Sequence, residues 1–169
     1  MLNTLSGRFL ILTVVFVMLA EVMIFVPSVA RFRVDYLLDR LERAQIASLA
    51  LLADDMIDAD LEEELLRNAE VYNVVLRRDA VRQLVLSSPM PRPIDATFDL
   101  RDPTALRLIA DAVTRLAETE PQVIRVIGAP VRDAGTLIEV TMSTGGLRAA
   151  MIDYGVRILL LSAVISIFT

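Results

Sequence analysis

Apolar residues take three arrangements along this chain: unbroken runs near its two ends, a heptad-like spacing after the first run, and short alternating stretches between. From Phe9 to Val26 the sequence FLILTVVFVMLAEVMIFV carries a single charge in 18 residues. At about 1.5 Å per residue such a helix spans roughly 27 Å, enough to cross the hydrocarbon of a bilayer. Val156 to Phe168 (VRILLLSAVISIF) is apolar except for Arg157. Its 13 residues reach only about 20 Å, so a second membrane helix is expected to start here and to be cut short. Tyr154 and Arg157 suit the water interface, where a ring and a snorkelling guanidinium both gain. Arg8 favours a cytoplasmic N-terminus while Arg31 and Arg33 argue the other way. Long loops translocate largely regardless of charge, so the cytoplasmic N-terminus stands. Ser28-Val29-Ala30 has the small-x-small pattern of a cleavage site, so a signal peptide cut after Ala30 competes with a permanent anchor. The apolar run exceeds the usual h-region of about 7–15 residues and flows into a helical pattern, which favours the anchor.

Between the ends the pattern predicts one folded unit. Ala30, Val34, Leu37, Leu41, Ala44, Ser48 and Leu51 alternate steps of four and three, a seam that serves either a sister helix or the domain's own core. A short helix is expected over Leu61–Ala69, with Asp60 and Glu63 at capping-box spacing. Val71–Leu76 and Val81–Leu86 read as a hairpin about Arg77–Ala80. Ser87–Thr97 holds Pro89, Pro91 and Pro93 and reads as a loop. Asp102 as N-cap and Pro103 in the first turn predict a helix with Leu106, Ile109, Ala110, Val113 and Leu116 as its apolar side, closed by Pro121. Gln122–Ile127 and Thr136–Ser143 form a second hairpin, turning over Arg132–Gly135. In its last strand Ile138, Val140 and Met142 alternate with Glu139, Thr141 and Ser143. Gly145 and Gly146 precede a final helix from Leu147. The economical assembly is an α+β domain, an antiparallel sheet of two hairpins with helices packed on one face.

Composition supports the membrane reading: 55% of the 169 residues are hydrophobic and only 23% are charged. The chain has no cysteine and no histidine, which excludes disulfides, thiolate metal sites, a cysteine nucleophile and a phospho-accepting histidine within it. The net charge of −5 argues against a nucleic-acid partner, although all 17 basic residues are arginine. No phosphate loop, nucleophile elbow or metal-ligand spacing occurs, so the residues make no case for a catalytic site.

The segments RFLILTVVFVMLAEVMIFVPSVARFR and GGLRAAMIDYGVRILLLSAVIS, with the domain between them, resemble the input half of bacterial two-component sensor histidine kinases, alphaproteobacterial members in particular. The resemblance lies in layout and flanks and includes no catalytic motif. It implies a cytoplasmic N-terminus (1–8), a first transmembrane helix (9–29), a PAS-like periplasmic sensor domain (30–153) and the start of a second transmembrane helix (154–169). It implies a multi-pass protein of the bacterial inner membrane, and a homodimer. It also implies a kinase domain using ATP and magnesium, and a response regulator, both beyond this chain. Other outputs on the same input, a chemoreceptor or a cyclic-nucleotide synthase, remain open, as does a secreted or tethered binding protein cleaved after Ala30.

Candidate sites follow from charge and position. Asp54, Asp55, Asp58, Asp60, Glu62, Glu63 and Glu64 place seven carboxylates in eleven residues, a cation-binding patch or a solvated loop with acids in a first helical turn. A small anionic ligand wants arginines on the sheet or its covering loop: Arg82, Arg101 and Arg125, with Tyr72 and Phe98 as possible walls, or else these are surface ion pairs and core aromatics. Glu21 lies deep in the first span, where a carboxylate costs on the order of 3 kcal/mol unless protonated or paired. It serves helix pairing or signalling, or else it is a protonated carboxyl bonded to a neighbouring helix or lying near the outer interface. Val34, Leu37 and Leu41 are the candidate dimer seam, and Gly145 and Gly146 a candidate hinge.

Overall fold

A computed structural model describes residues 5–53, 59–78, 81–131 and 135–168. Helix α1 (Leu5–Ala53) joins the apolar run and the heptad segment in one rod of 49 residues, about 73 Å long. Pro27 lies inside it and has no N–H for the carbonyl of Met23. The helix nevertheless continues, and Ser28 Oγ donates to Ile24 O at 2.7 Å in the same turn. The segment before Pro27 exposes nearly all its apolar side chains, and α1 is long and apolar enough to cross a membrane. After it come α2 (Ala59–Ala69), β1 (Asn73–Arg78), β2 (Val81–Ser87), β3 (Ala96–Asp99), α3 (Ala105–Ala117), β4 (Val123–Gly128), β5 (Leu137–Ser143) and α4 (Gly145–Phe168).

The architecture is α+β, but the sheet is mixed. Five strands lie in the order β2-β1-β5-β4-β3, antiparallel except for β3, which runs parallel to β4. The two-hairpin, wholly antiparallel sheet expected from the sequence is therefore corrected by a fifth strand that begins in the last two residues of the segment read as loop and runs on to Asp99. Four residues are too few for a decisive alternation, and β3 is fixed by pairing: Asp95 N donates to Val123 O at 2.8 Å, Val123 N to Asp95 Oδ2 at 2.9 Å, and Leu100 N to Ile127 O at 2.8 Å. The two expected hairpins are present, although Asp79, Ala80 and Arg132 to Ala134 of their turns lie outside the described residues.

Three cross-strand rows face the helices: Val74, Val140, Val126 and Phe98; Leu76, Ile138 and Gly128; Met142, Ile124 and Ala96. Leu37, Leu41 and Ala44 of α1 are buried with this face, and Leu66 and Ala69 of α2, Ala112 of α3 and Leu147 and Met151 of α4 complete the core. Each fully buried leucine is worth about 1.5–3 kcal/mol, so α1 is an integral wall of the domain. At Gly128 sheet and helix approach so closely that a Cβ would stand 2.6 Å from Leu41 Cδ1. Gln45, also buried, clamps the segment after β4 to α1: its Nε2 donates to Val131 O and its Oε1 accepts from Val131 N, both at 2.7 Å.

Three helix starts and one helix face differ from expectation, α4 beginning at Gly145 and not at Leu147. Asp60 stands inside the first turn of α2 and does not precede it. Thr104 is the N-cap of α3, beyond Asp102-Pro103, and makes no side-chain capping bond. In α3, Ile109 and Leu116 pack on the core, yet Leu106 is 80% and Val113 53% exposed, while Ala112 and Arg115 are buried. The helix is turned so that a charged residue goes inward.

Candidate functional site

A cleft of about 390 Å³ opens where α1, the end of α2, β5 and the start of α4 meet. Its geometry begins with Glu70, which closes α2 in the left-handed region at φ 56° while Val71 N donates to Leu66 O at 3.1 Å. That turn carries the Glu70 carboxylate to Arg40 of α1, whose Nη2 donates to Glu70 Oε2 and, at 3.0 Å, to Tyr36 Oη. The Arg40 guanidinium also lies 4.7 Å over the Tyr36 ring, and its buried Nε and Nη1 have no hydrogen-bond partner among the described residues. Glu63 and Arg67 pair at 2.6 Å on the cleft's rim. Tyr72 lines the cleft, as does Gly146, where a Cβ would stand 3.1 Å from Tyr36 Oη. The cleft thus unites a sequence-derived ligand residue, Tyr72, with a sequence-derived hinge residue, Gly146, through Tyr36. Gly145 and Gly146 form the first turn of α4, and neither has positive φ.

The arginines lie elsewhere. Strand alternation sends Asn73, Thr141, Arg125 and Thr97 to the face away from the helices, with Val75, Glu139, Ile127 and Asp99 in the next row. Tyr72 belongs to the opposite parity, so it shares no face with Arg125. Arg125 Nε lies 3.9 Å from Glu139, and Arg101 grips Asp99 with Nε at 2.9 Å and with Nη2. The hydrogen bonds from Arg101 hold the Asp99 carboxyl down at about 2. Both arginines are therefore charge-compensated. The side chain of Arg82 lies outside the described residues, its backbone pairing with Arg77. Phe98 faces the helices, with the Arg33 guanidinium 4.4 Å over its ring.

Of the acidic candidates, Asp54, Asp55 and Asp58 lie outside the described residues, and Asp60 is exposed on α2. Among the described residues no three acidic groups are placed to hold a metal. Glu62 instead accepts from Ser87 N at 2.9 Å, tying α2 to β2.

Beyond the cleft α4 runs antiparallel beside α1. Tyr154 stacks on Phe32 with centroids 4.3 Å apart, Gly155 admits Phe25 so closely that a Cβ would stand 3.2 Å from it, and Ser162 Oγ donates to Glu21 Oε1 at 2.9 Å. Of the two roles read for Glu21, bonding a neighbouring helix has an observed partner. Val34 is half-buried and Leu37 and Leu41 are fully buried by their own chain, so this seam is used within the domain. Arg33 was not legible as special. It is buried between α1 and α3, 3.9 Å from Asp111 Oδ2, and among the described residues none of its three nitrogens has a hydrogen-bond partner. Burial lowers its pKa, offset in part by the Asp111 carboxylate.

The arrangement links parts mechanically: a tyrosine and an arginine on one rod touch the end of α2 and the start of α4. No known family model, no curated protein and no solved structure matches the chain.

Proposed function

We propose that this chain is the input module of a membrane-bound sensor histidine kinase, receiving a stimulus on the outer side of a bacterial inner membrane and passing it to a kinase domain outside the chain. In this reading α1 crosses the bilayer over residues 9–29 and α4 enters it from Tyr154. Residues 30–153 are the PAS-like sensor, a description that the antiparallel β2-β1-β5-β4 part of the sheet supports and the parallel β3 modifies. ATP and magnesium belong to the kinase domain, and a response regulator receives the phosphate.

The observation that carries the reading is the shared rod. α1 holds both the apolar segment and the core residues Leu37, Leu41 and Ala44, while α4 leaves β5 after Thr144 and returns along that rod. Any shift of the sheet against α1 is therefore a shift of α4 against α1. A stimulus that favours one arrangement by about 1.4 kcal/mol changes the signalling ratio tenfold. Val29 and Ala30 are buried in the core, which supports an uncleaved anchor over a product released after Ala30.

The test uses the full-length gene product in membrane vesicles with labelled ATP. Joining Phe25→Cys to Gly155→Cys, in a chain with no cysteine of its own, is expected to change phosphate incorporation several-fold. Absence of incorporation overturns the kinase reading and favours a chemoreceptor or cyclase output. Ser88→Cys is expected to react with an impermeant maleimide from outside and Ser6→Cys to be protected. The reverse pattern, or a mature chain starting at Arg31, removes the membrane-sensor reading itself.

A further inference from the structure

Between the segment that follows α3 and the first three turns of α4 runs an open groove of about 540 Å³, whose walls include Glu120, Arg148, Ala149, Ile152, Asp153 and Val156. Its depth follows from the helix pair. Phe25 touches Gly155 and Glu21 accepts from Ser162, so α4 from Gly155 onward runs beside the apolar segment of α1. Arg148 is seven residues earlier, about 10 Å higher at helical rise. A headgroup layer is roughly 5–7 Å thick on each side of the hydrocarbon, so the groove reaches from the hydrocarbon edge through that layer.

Its chemistry changes with depth. At the lower end Ile152 and Val156 are 40% and 49% exposed, and Leu159, 51% exposed, extends them at the spacing of one helix face. The apolar wall of the groove is thus continuous with the exposed apolar side of α4. At the upper end Arg148 is anchored by Nε on Leu116 O at 3.3 Å. Among the described residues neither Arg148 nor Glu120 has an ion-pair partner, whereas Asp153 is taken by Arg157 at 2.8 Å. One uncommitted cation and one uncommitted carboxylate stand above an apolar strip, the complement of a zwitterionic amphiphile.

We infer that this groove binds an outer-leaflet phospholipid with a primary amine headgroup, its phosphate on Arg148, its ammonium on Glu120 and one acyl chain along Ile152, Val156 and Leu159. The inference rests on the reading in which α4 enters the bilayer. Phosphatidylethanolamine fits, because its ammonium donates hydrogen bonds to a carboxylate that the choline group cannot make. A lipid seated there bridges the end of α3 and the first turns of α4, so bilayer composition bears on the helix that leaves the domain.

The chain contains no tryptophan, so one introduced tryptophan reports alone. In phosphatidylcholine vesicles doped with a minor fraction of chain-brominated lipid, Ile152→Trp is expected to be quenched by brominated phosphatidylethanolamine with about tenfold preference over brominated phosphatidylcholine, equivalent to about 1.4 kcal/mol. Leu160→Trp, lower on α4, is expected to be quenched equally by both. Adding Arg148→Gln and Glu120→Gln to Ile152→Trp is expected to abolish the preference with the helical circular dichroism unchanged. Native mass spectrometry of the unaltered chain, extracted from vesicles of the two lipids in equal amount, is expected to show the same excess of phosphatidylethanolamine. Equal quenching at Ile152→Trp, or lipid parity in the mass spectrum, overturns the site while quenching at Leu160→Trp leaves the membrane reading intact. No quenching at Leu160→Trp overturns the membrane reading, and the site with it.

Discussion

Arg33 and Asp111 illustrate how an unequal pair divides its cost. Arg33 is buried and none of its nitrogens is hydrogen-bonded among the described residues, while Asp111 keeps about a quarter of its side chain in solvent, with 23% exposed, at 3.9 Å. Water is able to solvate the carboxylate and not the guanidinium, so the two truncations are not equivalent. Arg33→Met is expected to hold or raise stability by up to about 2 kcal/mol, because a buried charge is replaced by packing. Asp111→Asn leaves that charge without its counter-ion and is expected to cost about 3 kcal/mol. Thermal unfolding in detergent distinguishes the two, and the opposite order refutes the burial argument. The exposed Asp99 and Arg101 behave differently. The Asp99 carboxyl is lowered to about 2 from an ordinary value of 3.8, so the pair's stabilisation is fully present above the ordinary value and is lost as pH falls from there towards 2. Solvent screening keeps that contribution small. Asp99→Asn is therefore expected to unfold slightly earlier at pH 7 and to match the parent chain near pH 2, as followed by circular dichroism.

Single elements carry their own expectations. Helix α3 has apolar residues on two sides, and the sequence alone selected Leu106, Ile109, Ala110, Val113 and Leu116. Packing on α1 chose Ile109, Ala112 and Leu116, since the small Ala112 lets the helices approach and Arg115 reaches Gln122 Oε1 at 2.9 Å and the Glu118 carboxylate. Leu106→Gln is accordingly expected to change stability by less than about 0.5 kcal/mol, and Ala112→Asp to cost about 3 kcal/mol or more, in denaturant unfolding. The pairing of α1 with α4 depends on Gly155 in the same way. A leucine there meets the Phe25 ring, so Gly155→Leu is expected to cost about 1–3 kcal/mol by overpacking and to weaken cysteine crosslinking between Glu21→Cys and Ser162→Cys. Unchanged crosslinking removes the close approach from the account.

Across the whole molecule α1 carries both the long apolar segment and a wall of the core, and a domain boundary drawn after it cuts through packed side chains. A fragment from Leu49 to Gly155 lacks Leu37, Leu41, Ala44 and the Gln45 clamp on Val131. It is expected to fail to fold, whereas Ser28 to Gly155 keeps the wall and folds. Dispersion of amide resonances in the two fragments is the check, and a folded shorter fragment contradicts the shared-rod architecture. The same sharing explains why the candidate site is a joint between elements: Tyr36 and Arg40 of the rod meet Glu70 at the end of α2 and Gly146 at the start of α4.

Among the described residues, the sequence by itself determined the apolar run of α1, the existence of the four helices, four of the five strands and the α+β class. Each of these rests on a local period that states which positions must leave water. Local periods do not state what covers those positions. The heptad from Ala30 to Ser48 fits a sister helix or a sheet equally well, and only the sheet's apolar rows decided that Leu37 and Leu41 are spent within the chain. Strand β3 exists because β4 offers it a free parallel edge, and α3 turns Arg115 inward because a partner stands there. Tyr72 and Arg125 were separated by the pleat once the register of β1, β5 and β4 was set. Arg33, Arg40 and Glu70 gain their partners from segments up to 78 residues away, a separation at which no spacing rule acts.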